Sequence, residues 1–567
     1  MEKLNTVICV LNSKYIHSSL APWCLLAGIE KWGRDEIMTR VIEGTINERL
    51  EEVALRIIDC HPQIIGFCCY IWNITPTIEL IKLVKEQLPD TVIILGGPEV
   101  SYNPHEVLAR QPLIDYIISG EGEKPLALLL NALLQNHDKK GIPGMCYREE
   151  KQIIISPPYI SDEEPPSPYT VKYFNALKGR IAYLETSRGC PYSCAFCLSG
   201  RCGSVRFYDL NRAKNELLML ANSGTRTVKL VDRTFNINKE RAVGLFRFII
   251  YNYGGEIPDG ICFHFEIAGD LLDFDTVALL KTAPVGAIQL EIGLQSFNEK
   301  TLTAIHRKTD ITRLKLNIKS ITEGGNIHVH IDLIAGLPYE DLASFANSFN
   351  IAYSLKSNML QLGFLKLLHG SRMRDNPDEY PCRYDEQPPY EVTQTPWLTA
   401  EDIDSLHKTE DAVERLLNSG RFCRTLDYVL ENSGLKPFEL FSRVGEFCAD
   451  RISPRISLDE YTKVIFSYLV QLNRVDSSVL RDIMVCDRLS TNPSGILPPV
   501  LDVKDTALKA ALKELKKNPS TCPIKGVKRG AALLYTQGCL VYADYLNKDP
   551  VTGRYKINKI NYTDMHI

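Results

Sequence analysis

The chain has 567 residues, of which 45% are hydrophobic and 24% charged, a composition typical of a globular protein. This length exceeds what one ordinary core supports, so we expect two to four domains. The formal net charge of −4 excludes a global basic field that would draw the chain to nucleic acid or anionic membrane. No stretch reaches the roughly 20 apolar residues that cross a bilayer. The apolar run near the N-terminus is too short for a signal peptide and predicts a first strand.

Cysteine usage indicates the compartment. The sequence has 17 cysteines, an odd number, and several lie inside apolar runs, such as Cys68 and Cys69. A buried free thiol behaves as a small hydrophobe and persists in a reducing environment. We therefore expect a cytoplasmic protein.

The first 140 residues predict an open, doubly wound (Rossmann-like) parallel sheet of α/β class. Its strand candidates alternate with helix-length segments such as 75–88, where Thr75 is the expected N-cap and Pro76 the first helical residue. Ligands of such sheets bind at the carboxyl ends of the strands, so the loops there form a candidate site. The five strand candidates are 6–12, 37–44, 64–70, 91–97 and 114–120.

Residues 141–178 are predicted to be a linker. Within them, 144–156 is a candidate hairpin and 156–169 is rich in proline and charge. A second β/α series follows and predicts a partial (β/α)6 barrel over residues 179–395, with its active site at the carboxyl ends of the strands. The six strand candidates of this series are 181–187, 226–232, 262–268, 287–293, 328–336 and 361–367.

Residues 396–567 predict a mostly helical domain of unassigned role. Thr399 and Asp402 resemble a capping box at the start of a helix, and Gly420 is placed to end it. Further helical segments run to about residue 517, and residues 530–546 predict strands. The basic run 516–529 is modest and is expected to be a solvated lysine face.

Three cysteines have C-x3-C-x2-C spacing just past the first strand of the second series. Cys190, Cys194 and Cys197 lie in a loop opened by Gly189, where three thiolates can converge on one metal centre. Three ligands complete neither a zinc site nor an iron–sulfur cube, each of which usually takes four. The alternatives are a chance cluster and a zinc loop that borrows a ligand from elsewhere. Cys202 fits the spacing less well and is expected to be a bystander.

This segment resembles the cysteine motif of the radical S-adenosylmethionine (SAM) superfamily. The resemblance implies a [4Fe-4S] cluster held by the three cysteines, with the amino and carboxylate groups of SAM chelating the fourth iron. Phe196 corresponds to the aromatic residue that usually precedes the last cysteine. In that superfamily, reduction of the cluster cleaves SAM to methionine and a 5′-deoxyadenosyl radical.

Three later segments resemble further motifs of the superfamily. Residues 230–236 resemble its second-strand motif, 291–302 its fourth-strand motif, and 331–340 the fifth-strand element that binds adenine through backbone. The glycine-rich element that binds the SAM amino group has no clear copy near 222–226. The SAM- or substrate-binding residues that these matches imply are Asp232, Asn236, Glu291, Gln295, Ser296, Gly336 and Leu337.

A doubly wound sheet before such a barrel resembles the cobalamin-dependent (B12-binding) radical SAM class, in which this sheet holds cobalamin. The chain lacks D-x-H-x-x-G, so His17 is expected to be a loop histidine and not a cobalt ligand, and Tyr70, Trp72 and Asn73 are expected near the lower cobalt face. The alternative is a flavodoxin-like sheet that binds a nucleotide or no ligand, and the sheet lacks the G-x-G-x-x-G fingerprint of a nucleotide site. The implied cobalamin-binding residues are Asn12, Tyr70, Trp72, Asn73, Gly96, Gly97, Pro98, Glu99, Gly120 and Glu121.

The resemblance implies an enzyme that transfers methyl from methylcobalamin to an unactivated carbon, with a second SAM remethylating the cobalamin. One alternative is radical cyclisation, ring contraction or rearrangement on the same cofactors, and another is a non-catalytic cobalamin or iron–sulfur sensor. The cluster implies a one-electron donor such as flavodoxin or ferredoxin. The motifs leave open whether the substrate is a small molecule, a peptide or RNA. The C-terminal segment resembles an uncharacterised helical extension of some class members.

Overall fold

The computed structural model describes residues 3–503, 506 and 530–561. The predicted basic run 516–529 and the end of the helical stretch before it lie outside this range. The chain folds into two compact units. The first comprises Met1–Ala268, Ile305–Arg307 and Leu365–Thr393, and the second comprises Gly269–Ala304, Lys308–Phe364 and Gln394–Ile567.

The first unit begins with five parallel strands separated by helices, as the sequence predicts. These elements are β1 (Leu4–Asn12), α1 (Ala21–Trp32), β2 (Ile37–Thr45), α2 (Leu50–Ile58), β3 (Ile64–Cys68), α3 (Ile74–Gln87), β4 (Val92–Gly96), α4 (Pro98–Ser101), α5 (Pro104–Arg110), β5 (Tyr116–Ile118) and α6 (Glu123–Gln135). The strand order is β2-β1-β3-β4-β5. Strand β3 is buried throughout, as expected of a parallel strand covered on both faces. The order reverses between β1 and β3, and open sheets of this kind bind ligands at that point.

Helix α3 begins two residues earlier than a Thr75 cap would allow. Its N-cap is Asn73 and its first residue is Ile74, so the prediction of Thr75 as the N-cap is wrong. The carbonyl of Tyr70 accepts hydrogen bonds from the N–H groups of Asn73 and Ile74, both at 3.0 Å, and this turn starts the helix. Pro76 then lies in the first turn, where a missing N–H is tolerated.

The stretch predicted as a linker carries regular elements. The predicted hairpin is confirmed as β6 (Met145–Glu149) and β7 (Gln152–Ile154), which extend the sheet antiparallel to β5. Helix α7 (Val171–Leu177) follows, and the Thr170 side chain caps it by accepting from the Tyr173 N–H.

The second β/α series contains all six predicted strands. Those in the first unit are β8, β11 and β12, and β11 is parallel to both neighbours. Phe235, Phe246 and Phe265 form an aromatic core there, with ring centroids 4.5 to 5.3 Å apart. The elements are β8 (Ala182–Leu184), β9 (Ser187–Arg188), β10 (Arg206–Phe207), α8 (Leu210–Ala221), β11 (Thr227–Leu230), α9 (Lys239–Asn252) and β12 (Cys262–Ile267).

The second unit contributes the other three strands, each parallel to the next. The elements are α10 (Phe274–Leu280), β13 (Ile288–Gln295), α11 (Glu299–Ala304), α12 (Ile311–Gly324), β14 (His328–Ala335), α13 (Leu342–Ser354) and β15 (Met359–Phe364). Buried and half-buried residues alternate along β13, so its polar side chains share one face. The chain then passes through α14 (Arg372–Asp375), β16 (Arg383–Tyr384) and β17 (Val392–Gln394).

The C-terminal region is mostly helical, as predicted. Its helices are α15 (Ala400–Val413), α16 (Cys423–Ser433), α17 (Pro437–Ala449), α18 (Leu458–Leu469) and α19 (Ser477–Thr491). The capping box is confirmed, since Thr399 Oγ1 accepts from the Asp402 N–H and Asp402 accepts from the Thr399 N–H. A π-helical turn continues α15 over Glu414–Asn418. The predicted β-rich end is an antiparallel sheet of β18 (Ala531–Leu534), β19 (Cys539–Lys548) and β20 (Tyr555–Asn561). Among the helices within the described ranges, none has the length and apolar character needed to span a membrane.

Candidate active site

The cysteine loop of the first unit is fixed through its backbone. Ala195 is fully buried, its N–H donates to the Ile305 carbonyl, and its own carbonyl accepts from the Met373 N–H, each at 3.0 Å. Phe196 is half-buried next to it. The loop is therefore held between two other segments of the same unit. The side chain of Cys202 lies outside the described residues.

The three sulfurs of this loop are free, half-buried and surrounded by polar atoms. Cys190 Sγ lies 3.5 Å from Thr234 Oγ1, and Cys194 Sγ lies 4.0 Å from a guanidinium nitrogen of Arg307. Burial raises the pKa of Cys194; Arg307 opposes this, while the nearby Cys197 and Cys190 add to it. The three thiols are therefore close enough to influence one another electrostatically, as ligands of one centre would be.

Asp232 and Asn236 use their polar atoms inside the protein. Asp232 is buried and accepts hydrogen bonds from the Thr186 N–H at 3.0 Å, the Thr186 hydroxyl at 2.8 Å and the Ser187 hydroxyl. Burial raises its pKa to about 6, although these bonds oppose the shift. Asn236 pairs with both backbone groups of Ala268, at 2.8 and 2.9 Å. In the first unit, both side chains brace the backbone around the cysteine loop.

A buried ion-pair cluster joins the N-terminal sheet to the segment before Cys190. Arg188 binds Glu121 at 3.1 Å, Glu123 at 2.6 Å and Glu185 at 2.9 Å, and Arg206 also pairs with Glu121. Although burial opposes it, Arg188 holds the pKa of Glu123 below its ordinary value. Only Glu121 of this cluster is among the residues predicted from the sequence.

The first unit contains a cavity of about 540 Å³ at the carboxyl ends of β1, β3, β4 and β5, the position expected for a ligand of this sheet. Most of its wall is apolar. Tyr70 and Trp72 stack on each other there, with ring centroids 4.4 Å apart. The predicted residues that line it are Asn12, Tyr70, Trp72, Gly96, Gly97, Gly120 and Glu121.

Two of the glycines in this wall are required by the chain itself. A Cβ on Gly97 would lie 2.4 Å from the Cys69 carbonyl oxygen, and one on Gly120 would lie 2.2 Å from the Tyr159 carbonyl oxygen. Both glycines also have positive φ, at 109° and 88°. Close approach of backbone to backbone therefore accounts for these glycines before any ligand is considered.

Three further predicted residues lie beside the cavity and not on its wall. Asn73 is fully buried and donates to the carbonyls of Leu11 and Cys68, both at 3.0 Å. Glu99 is buried and accepts a hydrogen bond from the Tyr390 hydroxyl. Pro98 is exposed at the start of α4. Asn73 and Glu99 thus hold the loops that carry the wall residues.

His17 lies on the cavity wall, and its Nδ1 is 2.7 Å from the Tyr183 hydroxyl. Burial lowers the pKa of His17, with Lys14 and Lys229 adding to the effect. Near pH 7 the imidazole is therefore neutral, and it shares one hydrogen bond with the Tyr183 hydroxyl. This agrees with the expectation of a hydrogen-bonded loop histidine.

Arg233 also lines this cavity and was missed by the sequence reasoning. It lies between Asp232 and Thr234 in the segment 230–236, where the family resemblance pointed to Asp232 and Asn236 and not to Arg233. The available signal was alternation, since consecutive residues after a strand point to different sides. If Asp232 points into the protein, Arg233 is expected to point to the opposite side.

In the second unit, Gln295 ends β13 and Ser296 follows it, and the two side chains behave differently. Gln295 lies at a register shift of the β13–β14 ladder, has φ of 68°, and its buried Oε1 has no hydrogen-bond partner among the described residues. Ser296 donates to Glu340 Oε1 at 2.6 Å, and Ser348 contacts the same oxygen at 3.1 Å. Burial raises the pKa of Glu340 to about 7. Ser296 therefore serves the turn itself, whereas Gln295 has an acceptor left over.

The loop after β14 carries the predicted adenine-binding backbone. Gly336 has φ of 90° and Leu337 is fully buried. Thr301 donates to the Pro338 carbonyl, and Asn298 donates to the Tyr339 carbonyl, both at 2.8 Å. The side chains of α11 and its preceding turn thus fix this loop.

Glu291 shares a face of the second unit with two residues of β14. His330 Nε2 lies 2.7 Å from Asp332 Oδ1, and His330 Nδ1 lies 3.9 Å from Glu291 Oε2. The ligand atoms of the three side chains lie within 4.8 Å of one another. Of these three residues only Glu291 was predicted from the sequence, because His330 lies opposite it on the neighbouring strand and Asp332 two residues further on, a proximity that exists only in the paired sheet.

Comparison with known proteins assigns both halves of this arrangement. Residues 6–130 match the B12 binding domain, and residues 184–351 match the radical SAM superfamily. This chain is a B12-binding radical SAM protein. Residues 378–525 match a family described as a protein of unknown function, DUF4080, which covers much of the helical extension.

Individual relatives agree with this family assignment. The 2-(S-pantetheinyl)-carbapenam-3-carboxylate methyltransferase of Streptantibioticus cattleyicolor is 30% identical over 324 residues, which are 52% of this chain and 45% of that protein. The chain thus spans about half the length of the curated relatives that it matches. The radical SAM methyltransferase TsrM from Kitasatospora setae, solved with cobalamin and a [4Fe-4S] cluster, has a TM-score of 0.55 and 18% identity over 65% of this chain and 74% of its own. The cobalamin-dependent SAM radical enzyme OxsB, solved with aqua-cobalamin, has a TM-score of 0.56 and 15% identity over 91% of this chain and 81% of its own. At these identities the solved structures establish the fold.

Proposed function

We propose that this protein is a cobalamin-dependent radical SAM methyltransferase that methylates an unactivated carbon. The observation that carries the proposal is the segment Arg233–Thr234 of the first unit. Arg233 lines the cavity of the B12-binding sheet, and the next residue lies 3.5 Å from Cys190. A cavity at the ligand-binding end of the N-terminal sheet and the cysteine loop therefore adjoin in one unit, as the reaction requires.

The cysteine loop fits a [4Fe-4S] cluster by its donor set. Three thiols, with no fourth ligand among the described side chains of the loop, suit a cluster with one iron open to SAM. Cys190, Cys194 and Cys197 would hold it. The Ser199 N–H, which donates to Cys197 Sγ at 3.4 Å, and the groups near the other two sulfurs would tune it, because hydrogen bonds to the sulfurs shift cluster potentials.

The second unit fits SAM through Gln295. A buried acceptor without a protein partner costs free energy unless a ligand satisfies it, and the left-handed backbone at this residue adds strain of the kind found at ligand sites. We propose that Gln295 accepts a hydrogen bond from SAM. Gly336 and Leu337 would offer backbone to the adenine, and Phe196 would flank the cluster.

The cavity fits cobalamin by its position at the sheet switch point and by its wall, which is apolar with few polar groups. Asn12, Tyr70 and Trp72 would contact the cofactor directly. We propose that His17, which lies on the described wall and is bonded to Tyr183, is a loop histidine and does not ligate cobalt, since the sequence lacks D-x-H-x-x-G. Asn73 and Glu99 would act through the loops that they hold, Glu121 would act from the wall, and Pro98 would contact the cofactor from the start of α4.

When bound, the cluster supplies the electron that cleaves SAM, and methylcobalamin supplies the methyl group. The chain's own residues position these groups and exclude water. Arg188 fixes the segment before Cys190 against Glu121 and Glu123, and Asp232 fixes the same segment by accepting from the Thr186 N–H. The apolar wall keeps water from a reactive radical.

Four segments follow from this proposal: a cobalamin domain (1–140), a connecting segment (141–178), the radical SAM domain (179–395) and the helical extension (396–567). An external one-electron donor such as flavodoxin or ferredoxin would reduce the cluster. A cytoplasmic location is supported by the cysteines, since all 15 whose side chains are described are free of disulfides.

The test is cluster loading and the product pair. Anaerobically reconstituted protein is expected to bind about four irons per chain, and Cys190→Ala, Cys194→Ala or Cys197→Ala each to abolish SAM cleavage. Cys382→Ala, a half-buried cysteine outside the loop, is the matched control. Methyl transfer yields S-adenosylhomocysteine with 5′-deoxyadenosine in the presence of substrate. A triple cysteine variant that still cleaved SAM would disprove the assignment, and turnover without S-adenosylhomocysteine would replace methyl transfer by rearrangement.

A further inference from the structure

Arg233 is a cation on the wall of a mostly apolar cavity. It follows β11, is exposed to the cavity, and lies close enough to Tyr70 for its charge to act on that hydroxyl. Within residues 3–503, 506 and 530–561, its guanidinium makes no hydrogen bond or ion pair. Five donors in a planar fork are therefore available at this position.

The carboxylates on the same wall are already engaged. Glu121, Glu123 and Glu185 each bind Arg188, and Glu121 also binds Arg206. Each is held at 3.1 Å or less from a guanidinium nitrogen. The cavity wall thus offers Arg233 no unpaired anion of its own.

The remaining neighbours carry no negative charge that would pair with Arg233. The pKa of His17 is lowered, so its imidazole is neutral near pH 7, and its Nδ1 is occupied by the Tyr183 hydroxyl. Tyr70 and Trp72 present stacked rings. A planar guanidinium in such surroundings pairs best with a carboxylate or phosphate, which it binds through two parallel hydrogen bonds.

We infer that Arg233 binds an anionic group, a phosphate or a carboxylate, of the molecule that enters this cavity. The inference rests on the proposed function, which makes that molecule cobalamin or the substrate beside it. Cobalamin carries a phosphodiester in its nucleotide loop, and the substrate is the other source of such a group. The position next to Thr234 favours neither source, so the experiment separates them.

The first arm compares cobalamin with cobinamide, which lacks the phosphodiester and nucleotide. Affinities are measured by absorbance and tryptophan fluorescence on the full chain for wild type, Arg233→Gln and Arg233→Lys. If the cofactor supplies the anion, Arg233→Gln weakens cobalamin binding by about 10- to 100-fold and leaves cobinamide binding unchanged. Arg233→Lys recovers part of the loss, because it keeps the charge without the fork.

The second arm titrates inorganic phosphate and acetate into the full chain, followed by tryptophan fluorescence, because Trp72 lies on the same wall. If the substrate supplies the anion, cobalamin affinity is unchanged in Arg233→Gln, and a saturable response to one of the anions disappears. This arm needs no cobalamin. Failure of the protein to bind cobalamin would contradict the proposed function, and the anion titration would still test the role of Arg233.

Arg247→Gln is the matched control. Arg247 is an exposed arginine of α9 that does not line the cavity and has no ion pair among the described residues. If Arg233→Gln behaved like Arg247→Gln in both arms, the inference would be overturned. Circular dichroism of both variants is expected to match wild type, since each arginine is exposed.

Discussion

Two loops that follow strands of the radical SAM series use their polar side chains in opposite ways. After β11 in the first unit, Asp232 and Asn236 spend their hydrogen-bonding capacity on nearby backbone and hydroxyls. After β13 in the second unit, Gln295 keeps a buried acceptor without a partner among the described residues. Both loops match motifs associated with ligand binding. The hydrogen bonds that each side chain makes inside the protein, and not the motif match, distinguish a residue that stabilises its loop from one that is available to a ligand.

The braced loop should yield the largest loss of stability. Arg188→Leu is expected to lower the free energy of unfolding by about 3–5 kcal/mol, because it strands buried carboxylates. Urea denaturation of the full chain measures it. Arg110→Leu is the control, since Arg110 pairs with Glu106 on the surface of α5, where both side chains are exposed; we expect a loss of less than about 1 kcal/mol. Equal losses would contradict the special role of the buried cluster.

Glu340 provides a pH test within the second loop region. Its folded-state pKa of about 7 is raised above the ordinary value, so its contribution to stability is complete below about pH 4.5 and is lost as pH rises through 7. This amounts to about 3 kcal/mol across that window. Glu340→Gln mimics the neutral acid, and the difference between its stability and that of wild type should change by that amount over the window. Glu299→Gln, an exposed substitution on α11, should follow wild type; a wild-type-like slope for Glu340→Gln would refute the assignment.

Asp232→Asn tests whether Asp232 is a brace. The amide replaces one acceptor oxygen by a donor that faces the Thr186 and Ser187 donors, and we expect a loss of about 2 kcal/mol. Thermal unfolding of the full chain at pH 7 records it. SAM affinity of the surviving folded protein should stay within about twofold. A large loss of SAM binding without loss of stability would make Asp232 a contact residue instead.

Gln295→Ala should show the opposite pattern to Asp232→Asn, with stability retained and SAM affinity reduced. Removing a buried acceptor that lacks a partner changes the free energy of unfolding by less than about 1 kcal/mol, whereas one lost hydrogen bond weakens SAM binding about tenfold. Isothermal titration of anaerobically reconstituted protein measures the affinity. Gln289→Ala, at the start of the same strand, is the control. Unchanged SAM affinity in Gln295→Ala would remove the contrast between the two loops.

The sequence alone determined the parts that depend on local pattern. Strand and helix alternation predicted both β/α series, and the C-x3-C-x2-C spacing predicted one loop with three converging thiols, because these signals come from residues close in the chain. The capping box at Thr399 and Asp402 is of the same kind. The prediction of Thr75 as the N-cap of α3 was wrong because the hydrogen bonds to the Tyr70 carbonyl, and not the capping propensity of Thr75, decide where that helix starts.

Only the tertiary structure decided which polar residues serve a ligand. Glu123, Glu185 and Arg188 meet because strands distant in sequence end near one another, so no local spacing announces their cluster. Arg233 is left for a ligand because Arg188 and Arg206 have already taken the carboxylates of the cavity wall. Whether a polar atom is satisfied depends on neighbours supplied by the whole fold, and that property is invisible along the chain.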